Sequence, residues 1–197
     1  MTLIKTYRAD DGILLYREAW TDGSMLMIHE GTVGTKGKTS HLSTRGKALH
    51  RASLPTMAQR VKAFRESAAA DGFREIPDEE LSWVVLQVWM FSDDLTHPSD
   101  ARLLDEAQEA LDQHLGWLGL GHVDGNDIGG VPPTGEGTIL NLFCRVVDIP
   151  AGVKAVRSFA TKVKLEQKYV IGAREPGEDS DYVLAWSPRK SDKTFDL

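Results

Sequence analysis

Apolar side chains in the first third of the chain fall in the patterns that β-strands require. Residues 3–9 and 13–20 are rich in β-favouring residues, with a turn signal between them. Residues 25–33 begin apolar and run into glycines at every third position, which favours a bent strand or a hairpin. We predict an antiparallel sheet here. Residues 39–54 are polar and give no clear assignment.

A helix is predicted after this sheet. Pro55 suits the first turn of a helix, and Asp71-Gly72 signals its end. Between them, apolar residues recur at the spacing of one helical face, at Met57, Val61, Phe64 and Ala68. Residues 76–80 are charged and contain a proline, as a short linker would, so the first domain is predicted to span 1–77.

The second part of the chain alternates between strand-like and helix-like patterns. A continuous apolar run at 81–91 predicts a central strand, and a helix is predicted from Ser99. The order continues as weak strand, strand, helix, strand and a last short strand. This order predicts a ferredoxin-like βαββαβ sandwich over 78–188, with helices on one face of an antiparallel sheet. Residues 189–197 are predicted to form a polar tail. The fold class expected for the chain is α+β, with two small domains.

The glycine-rich segment and the helix that follows it resemble a known module. Gly31, Val33, Gly34 and Gly37, followed later by Gly72-Phe73, match the pattern of a WGR-like domain. This small sheet-and-helix module occurs in poly(ADP-ribose) polymerases and in scattered bacterial proteins. The resemblance covers residues 3–76 and implies the fold.

Two signature residues of the WGR family are replaced in this sequence. Glu30 stands where the family has tryptophan, and Thr32 where it has arginine. The family module is associated with DNA strand ends and with neighbouring domains. Its tryptophan would supply a stacking surface and its arginine a phosphate partner. The replacements therefore weigh against a DNA role, although the fold is still implied.

The second domain is similar to a ferredoxin-like domain of bacterial proteins. The similarity rests on the pattern G-L-G-x-x-D-G-x-D-I-G at 119–129 and on the strand that contains Asn141-Leu142-Phe143-Cys144. It implies an architecture and no particular chemistry.

Charge is distributed unevenly between the two predicted domains. Residues 1–77 contain 12 Lys and Arg against 8 Asp and Glu, or +4, and residues 78–197 contain 11 against 21, or −10, which together give the total of −6. No apolar run approaches the roughly 18 residues of a membrane span. The single cysteine, Cys144, excludes a disulfide within the chain. We expect a soluble, cytoplasmic protein.

The basic charge of the first domain is concentrated between Gly34 and Arg65, where the sequence has no acidic residue. Such a stretch can attract polyanions, while a solvated face is the simpler interpretation. The glycines here lack the spacing of a nucleotide-binding P-loop. The candidates for nucleic-acid or anion binding are Lys36, Lys38, Arg45, Lys47 and Arg51.

The densest polar cluster of the second domain consists of His122, Asp124, Asn126 and Asp127. Strand alternation would put His122, Asp124 and Asn126 on one face, where an acid–base pair or a metal site could be built. The simpler interpretation is turn capping by Asp and Asn side chains. We expect no metal and no cofactor.

We predict a non-enzymatic binding or regulatory protein that acts through protein–protein contacts, because no convincing catalytic set occurs. A bacterial immunity-type or accessory protein is one concrete version, and the acidic second domain would suit a basic partner. Nucleic-acid binding, including DNA ends, through residues 34–65 is the first alternative. An enzyme that uses His122, Asp124 and Asp127 is the second. The oligomeric state is left open.

Overall fold

A computed structural model describes residues 3–43, 55–133, 135–177 and 180–197 of the chain. The chain divides into two compact units, Met1–Ile76 and Pro77–Leu197. Each unit contains one antiparallel sheet, and the described residues form three α-helices, so the predicted α+β class with small domains is confirmed. Within those ranges, no helix is long and apolar enough to cross a membrane.

The first unit is a four-stranded sheet with one helix. Its strands pair with their sequence neighbours in the order β1-β2-β3-β4. Asp11 and Gly12 both have positive φ, at 47° and 79°, which is the conformation that a tight two-residue hairpin turn requires. The elements are β1 (Leu3–Asp10), β2 (Ile13–Asp22), β3 (Met25–Thr32), β4 (Lys38–Ser43) and α1 (Met57–Ala70).

Helix α1 packs on this sheet through the apolar face that its sequence predicted. Phe64 is buried against a cluster of strand residues, and Met57 and Val61 pack beside it. A capping box closes the start of the helix, because Thr56 and Gln59 each bond the other's backbone N–H. The strand residues of this core are Ile4, Ala19 and Leu26.

The second unit contains five strands and two helices in the predicted order. Its sheet has the strand order β6-β7-β5-β8-β9, and every adjacent pair is antiparallel. The weak strand of the sequence analysis forms as β6, at one edge. The elements are β5 (Ser82–Trp89), α2 (Pro98–Gly116), β6 (Gly121–Gly129), β7 (Ile139–Val146), α3 (Ile149–Lys162), β8 (Lys168–Arg174) and β9 (Val183–Trp186).

Both helices of the second unit cover the same face of its sheet. A Cβ placed on Gly152 of α3 would contact Val84 and Val146, and Gln108 of α2 bonds Asn126 of β6. The residues on this side of the central strands are almost completely buried. Cys144 is among them, and burial raises the pKa of its thiol, so it is an inert core residue.

A buried carboxylate anchors the start of α2. Oδ2 of Asp100 accepts hydrogen bonds from the backbone N–H groups of Phe91 and Ser92, at 2.9 and 3.0 Å, and from the Ser92 hydroxyl at 3.2 Å. Its Oδ1 accepts from Nε2 of Gln167 at 2.9 Å. The side chain therefore ties α2 to the end of β5 and to the segment before β8.

Residues 189–197, predicted as a polar tail, carry one buried apolar anchor. Phe195 packs against Val85 and Val170 of the sheet. We call residues 189–197 the tail segment. It lies on the side of the second sheet away from α2 and α3, which we call the open face.

Candidate functional site

The open face is built from rows of side chains that run across four strands. Residues directly opposite each other in an antiparallel pair share a face, so the strand register defines each row. The rows are His122–Arg145–Trp83–Arg174, then Gly125–Phe143–Val85–Gly172, then Asp127–Asn141–Gln87–Val170, and finally Gly129–Ile139–Trp89–Lys168.

The third row places polar side chains between two rows that are mainly apolar or glycine. We call Asp127, Asn141 and Gln87 the amide row. Asn141 is only 4% exposed, and its Nδ2 donates to Oδ1 of Asp127 at 2.8 Å. Buried Gln87 donates through Nε2 to the backbone carbonyl of Asp196 at 2.8 Å. The row therefore carries one bond to edge strand β6 and one bond to the tail segment.

Two buried polar atoms on this part of the face lack a hydrogen-bond partner. No donor in the described ranges reaches Oδ1 of Asn141, and no acceptor there reaches Nε1 of Trp89. Buried polar groups are nearly always satisfied in folded proteins. The first row carries two further atoms of this kind, Nε of Arg145 and Nε of Arg174, so the feature is shared by both ends of the open face.

The tail segment covers the part of the open face next to the amide row. Phe195 sits over Gly172, where a Cβ atom would lie 2.5 Å from its ring. Glycine at this position leaves room for the ring to rest on the strand backbone. Together with the bond from Gln87 to Asp196, this contact seats a segment of polypeptide on the sheet.

An open cleft of about 990 Å³ lies between the tail segment and the edge strand. Its floor contains Trp89, Ile139 and Asn141. One large apolar side chain of the lining, Val131, is 69% exposed to solvent, whereas Ile128, opposite Leu140 in the register, has its side chain on the helix side of the sheet. The cleft therefore combines an apolar rim with buried polar atoms, as binding sites commonly do.

The first row is a stack of arginine and aromatic side chains. The Arg145 guanidinium lies 3.4 Å from the centre of the Trp83 ring, and Arg174 lies 4.8 Å from the ring of Tyr182. Nε of Arg145 is 3.8 Å from Oδ2 of Asp124, so the carboxylate of Asp124 offsets the positive charge of Arg145. We interpret this row as structural.

The predicted common face of His122, Asp124 and Asn126 is wrong. A β-bulge interrupts β6, and the pairing passes from Val123 opposite Cys144 to Gly125 opposite Phe143. The extra residue reverses the alternation after it. His122 therefore lies on the open face, whereas Asn126 turns toward α2 and donates to Oε1 of Gln108.

The other members of this cluster are held by separate partners. His122 lies 3.9 Å from Asp78, Asp124 pairs with Arg145, and Asp127 accepts from Asn141. Among the residues that the structure describes, no three His, Cys, Asp or Glu side chains are grouped so as to hold a metal ion. The enzyme alternative therefore gains no support from this geometry.

The basic candidates of the first unit are only partly described. Arg45, Lys47 and Arg51 lie outside the described residues. Lys38 is the register partner of Glu30 at the start of β4. The carbonyl oxygen of Lys36 contacts His29 at 2.6 Å, so its backbone is part of the fold. Nucleic-acid binding through this stretch stays a prediction.

A buried polar network in the first unit fixes the glycine-rich ribbon. Nδ1 of His29 lies 2.6 Å from Oε1 of Glu18, and its Nε2 lies 2.8 Å from the hydroxyl of Tyr16. Lys5 adds an ion pair to Glu18 at 3.1 Å. Burial, and then the charge of Glu18, raise the pKa of Tyr16 to about 12. A phenol with a raised pKa is a poor nucleophile, so the network is structural.

Sequence reasoning missed most of the open face. It did not single out Asn141, Gln87 or Phe195. The available signal was a polar residue inside each of two strands that are otherwise largely apolar. These residues are Asn141, between Leu140 and Leu142, and Gln87, between Leu86 and Val88.

Comparisons with known proteins give this chain no relatives. No family model, no curated protein and no solved structure matches it.

Proposed function

We propose that the chain is a non-enzymatic binding protein that takes a protein partner on the open face of its second unit. The observation that carries this proposal is the exposed apolar side chain of Val131 at the rim of the cleft, beside a floor of Trp89 and Ile139. Apolar side chains clustered around a concavity are typical of interaction sites.

The chemistry of the cleft favours binding over catalysis. Asp127, one of three aspartates in its lining, accepts a hydrogen bond from the amide of Asn141 at 2.8 Å. General acid–base catalysis instead uses a group placed to exchange protons with a substrate. A carboxylate held by a neutral amide orients the amide, which is a recognition role.

The charge of the second unit supports a basic partner. Residues 78–197 contain 11 basic and 21 acidic side chains, or −10. Electrostatic complementarity accelerates association and selects the partner more than it raises affinity. A small acidic protein of this kind fits the immunity-type or accessory role expected from the sequence, in which a basic protein is held in check.

An affinity capture with matched surface variants tests the proposal. The full chain, a Val131→Asp variant and an Ile13→Asp variant are immobilised and exposed to lysate of the source cells with mild cross-linking. Ile13 is a suitable control because it is also an exposed β-branched apolar residue, at 52%, and belongs to the first unit. We expect the same basic protein on the native chain and on Ile13→Asp.

Binding of that protein to Val131→Asp should fall at least about tenfold when measured by calorimetry, because a charge is placed in an apolar contact. Its association rate should also slow as salt is raised. Retention of one set of proteins by all three chains would contradict the proposal.

A further inference from the structure

We infer that the chain binds single-stranded nucleic acid on the outer surface of α3 and the neighbouring edge of the second sheet. The inference goes beyond the proposed protein contact and does not depend on it, because it concerns the helix side of the sheet and a different set of side chains. Three basic side chains and two aromatic rings form this surface, which we call the α3 patch: Lys154, Arg157, Lys164, Tyr169 and Trp186.

The negative charge of the second unit is not spread over its whole surface. Residues 78–148, which include α2, contain 2 basic and 14 acidic residues, or −12. Residues 149–174, which include α3 and β8, contain 6 basic residues and 1 acidic residue, or +5. That acidic residue, Glu166, accepts a hydrogen bond from the hydroxyl of Ser99 in α2 at 2.8 Å. The side of the unit that carries α3 therefore attracts phosphates although the unit as a whole is acidic.

The basic side chains of the α3 patch are accessible. Lys154, Arg157 and Lys164 are all exposed, and none of them forms an ion pair with an acidic residue in the part of the chain that the structure describes. Lys154 and Arg157 are three positions apart on α3, so they are neighbours on the helix surface. At a rise of 1.5 Å per residue, the three side chains are spread over about 15 Å, which is long enough to contact successive phosphates.

Two stacked aromatic rings adjoin these cations. Trp186 of β9 and Tyr169 of β8 have ring centres 4.9 Å apart, and the Arg157 guanidinium lies 4.9 Å from the centre of the Trp186 ring. Both rings are half-buried, and β9 is an edge strand, so part of each ring faces solvent. Nucleic-acid bases stack on aromatic rings and on guanidinium planes. The combination therefore favours single-stranded nucleic acid over an acidic protein.

Lys164 occupies a backbone position that favours glycine. Its φ is +53°, and the two hydrogen bonds of a Schellman motif close the helix around it. The N–H of Lys164 donates to the carbonyl oxygen of Thr161 at 3.2 Å, and the N–H of Leu165 donates to that of Ala160 at 2.9 Å. A side chain at positive φ costs stability, so a lysine here suits a residue that is retained for binding.

Fluorescence anisotropy with a labelled oligothymidylate of about 20 nucleotides tests the inference on the full chain. The variants are Arg157→Gln, Trp186→Leu and Lys164→Gly. Arg102→Gln is the control, because Arg102 is an exposed arginine of α2 in the same unit and its substitution makes the same change of charge. Thermal unfolding is measured for every variant.

We expect binding at low salt, with a slope of about −2 for the logarithm of affinity against the logarithm of salt concentration, as three phosphate contacts require. Arg157→Gln and Trp186→Leu should each weaken binding about tenfold, whereas Arg102→Gln should leave it unchanged. Lys164→Gly should weaken binding and reduce the slope by about 0.7, yet raise the unfolding midpoint, because glycine adopts a positive φ without strain. A purely structural role for Lys164 would not produce this opposition.

If Trp186→Leu does not fold, the comparison of Arg157→Gln with Arg102→Gln decides the matter. Lack of binding by the native chain at tens of micromolar protein, or equal affinities of the native chain, Arg157→Gln and Lys164→Gly, would overturn the inference. Loss of binding in Lys36→Gln with no effect of Arg157→Gln would also overturn it and would place nucleic acid on the first unit. So would competition by polyglutamate as effective as that by unlabelled oligothymidylate of equal charge, since an acidic protein would then fit the patch equally well.

Discussion

The ring of Phe195 occupies the space in which any side chain on Gly172 would stand. A Cβ atom at Gly172 would lie 2.5 Å from the ring, which is closer than non-bonded carbon atoms approach one another in proteins. Because Phe195 belongs to a segment without strand pairing, this contact and the bond from Gln87 to Asp196 keep the segment on the sheet.

The first prediction is that Gly172 and Phe195 are energetically coupled. Phe195→Ala should lower the free energy of unfolding by about 3 kcal/mol, since a buried ring is lost. Gly172→Ala should destabilise the native chain by about 1–3 kcal/mol, because the ring must move. In a Phe195→Ala background, the same glycine substitution should cost almost nothing.

Urea unfolding of the two single variants and the double variant measures this coupling. Gly129→Ala is the control, because a Cβ at that strand glycine meets nothing within 4 Å. Additive effects of the two substitutions would show that Phe195 does not rest on Gly172.

The second prediction concerns Gly37, the glycine that closes the ribbon over the His29 network. Its φ is +59°, and a Cβ there would collide with the carbonyl oxygen of Glu30, 2.5 Å away, and with the Tyr16 hydroxyl. Gly12 has a similar φ of +79° but open space around it. Gly12→Ala should cost about 1 kcal/mol from backbone conformation alone, whereas Gly37→Ala should cost at least about 2 kcal/mol more.

Thermal unfolding followed by circular dichroism compares these two glycine variants. Both substitutions place alanine at a positive φ. The difference between their unfolding midpoints therefore measures the steric collision at Gly37. Equal midpoints for Gly37→Ala and Gly12→Ala would contradict the packing described for the ribbon.

The third prediction is a loss of stability at high pH through Tyr16. Its pKa is raised from 10.0 to about 12, by burial first and by the charge of Glu18 second. The native state thus keeps a proton that the unfolded state releases. The contribution is complete below pH 10 and is lost as the pH rises from 10 to 12, with a slope of about 1.4 kcal/mol per pH unit.

Urea unfolding at a series of pH values should show this slope in the native chain and a smaller one in Tyr16→Phe. Some slope should persist in the variant, because burial also raises the pKa of Tyr7. An unchanged slope in Tyr16→Phe would argue against a buried, protonated Tyr16.

The fourth prediction is that Asp100 stabilises the second unit far more than its position at a helix start suggests. Asp100→Asn replaces an oxygen that accepts from Phe91, Ser92 or Gln167 with an amide donor. We expect a loss of about 3 kcal/mol, since hydrogen bonds to a buried charged group are strong. Asp105→Asn, on the exposed side of the same helix, should change stability by less than about 0.5 kcal/mol.

Chemical denaturation of both aspartate variants gives the comparison directly. Similar denaturation midpoints for Asp100→Asn and Asp105→Asn would mean that the buried bonds contribute little.

The strands and helices were predictable because their signals are local. The spacing of Met57, Val61 and Phe64 defines one face of α1, and that face packs on the first sheet. The continuous apolar run at 81–91 predicted a central strand. In the structure, helices cover one side of this strand and Phe195 packs on the other.

The candidate site was not predictable because its determinants act at long range. Phe195 sits in a polar segment and finds its niche only when Gly172, 23 positions earlier, lies beneath it. Asp100 looks like an ordinary first-turn acid, yet its partner Gln167 is 67 residues away. Asn141 belongs to the amide row only because the strand register places it between Gln87 and Asp127.

The bulge at Asp124 acts on β6 as a frameshift acts on a coding sequence. Every residue after the extra position changes sides, so Asp127 joins the amide row and Asn126 meets α2. In an unbroken strand, the same residues would exchange places, with a carboxylate toward the helix and an amide on the open face. The polar groups on this face therefore depend on the number of residues in β6 as well as on their identity. A single insertion or deletion in β6 would exchange the residues on its two faces without altering any other side chain.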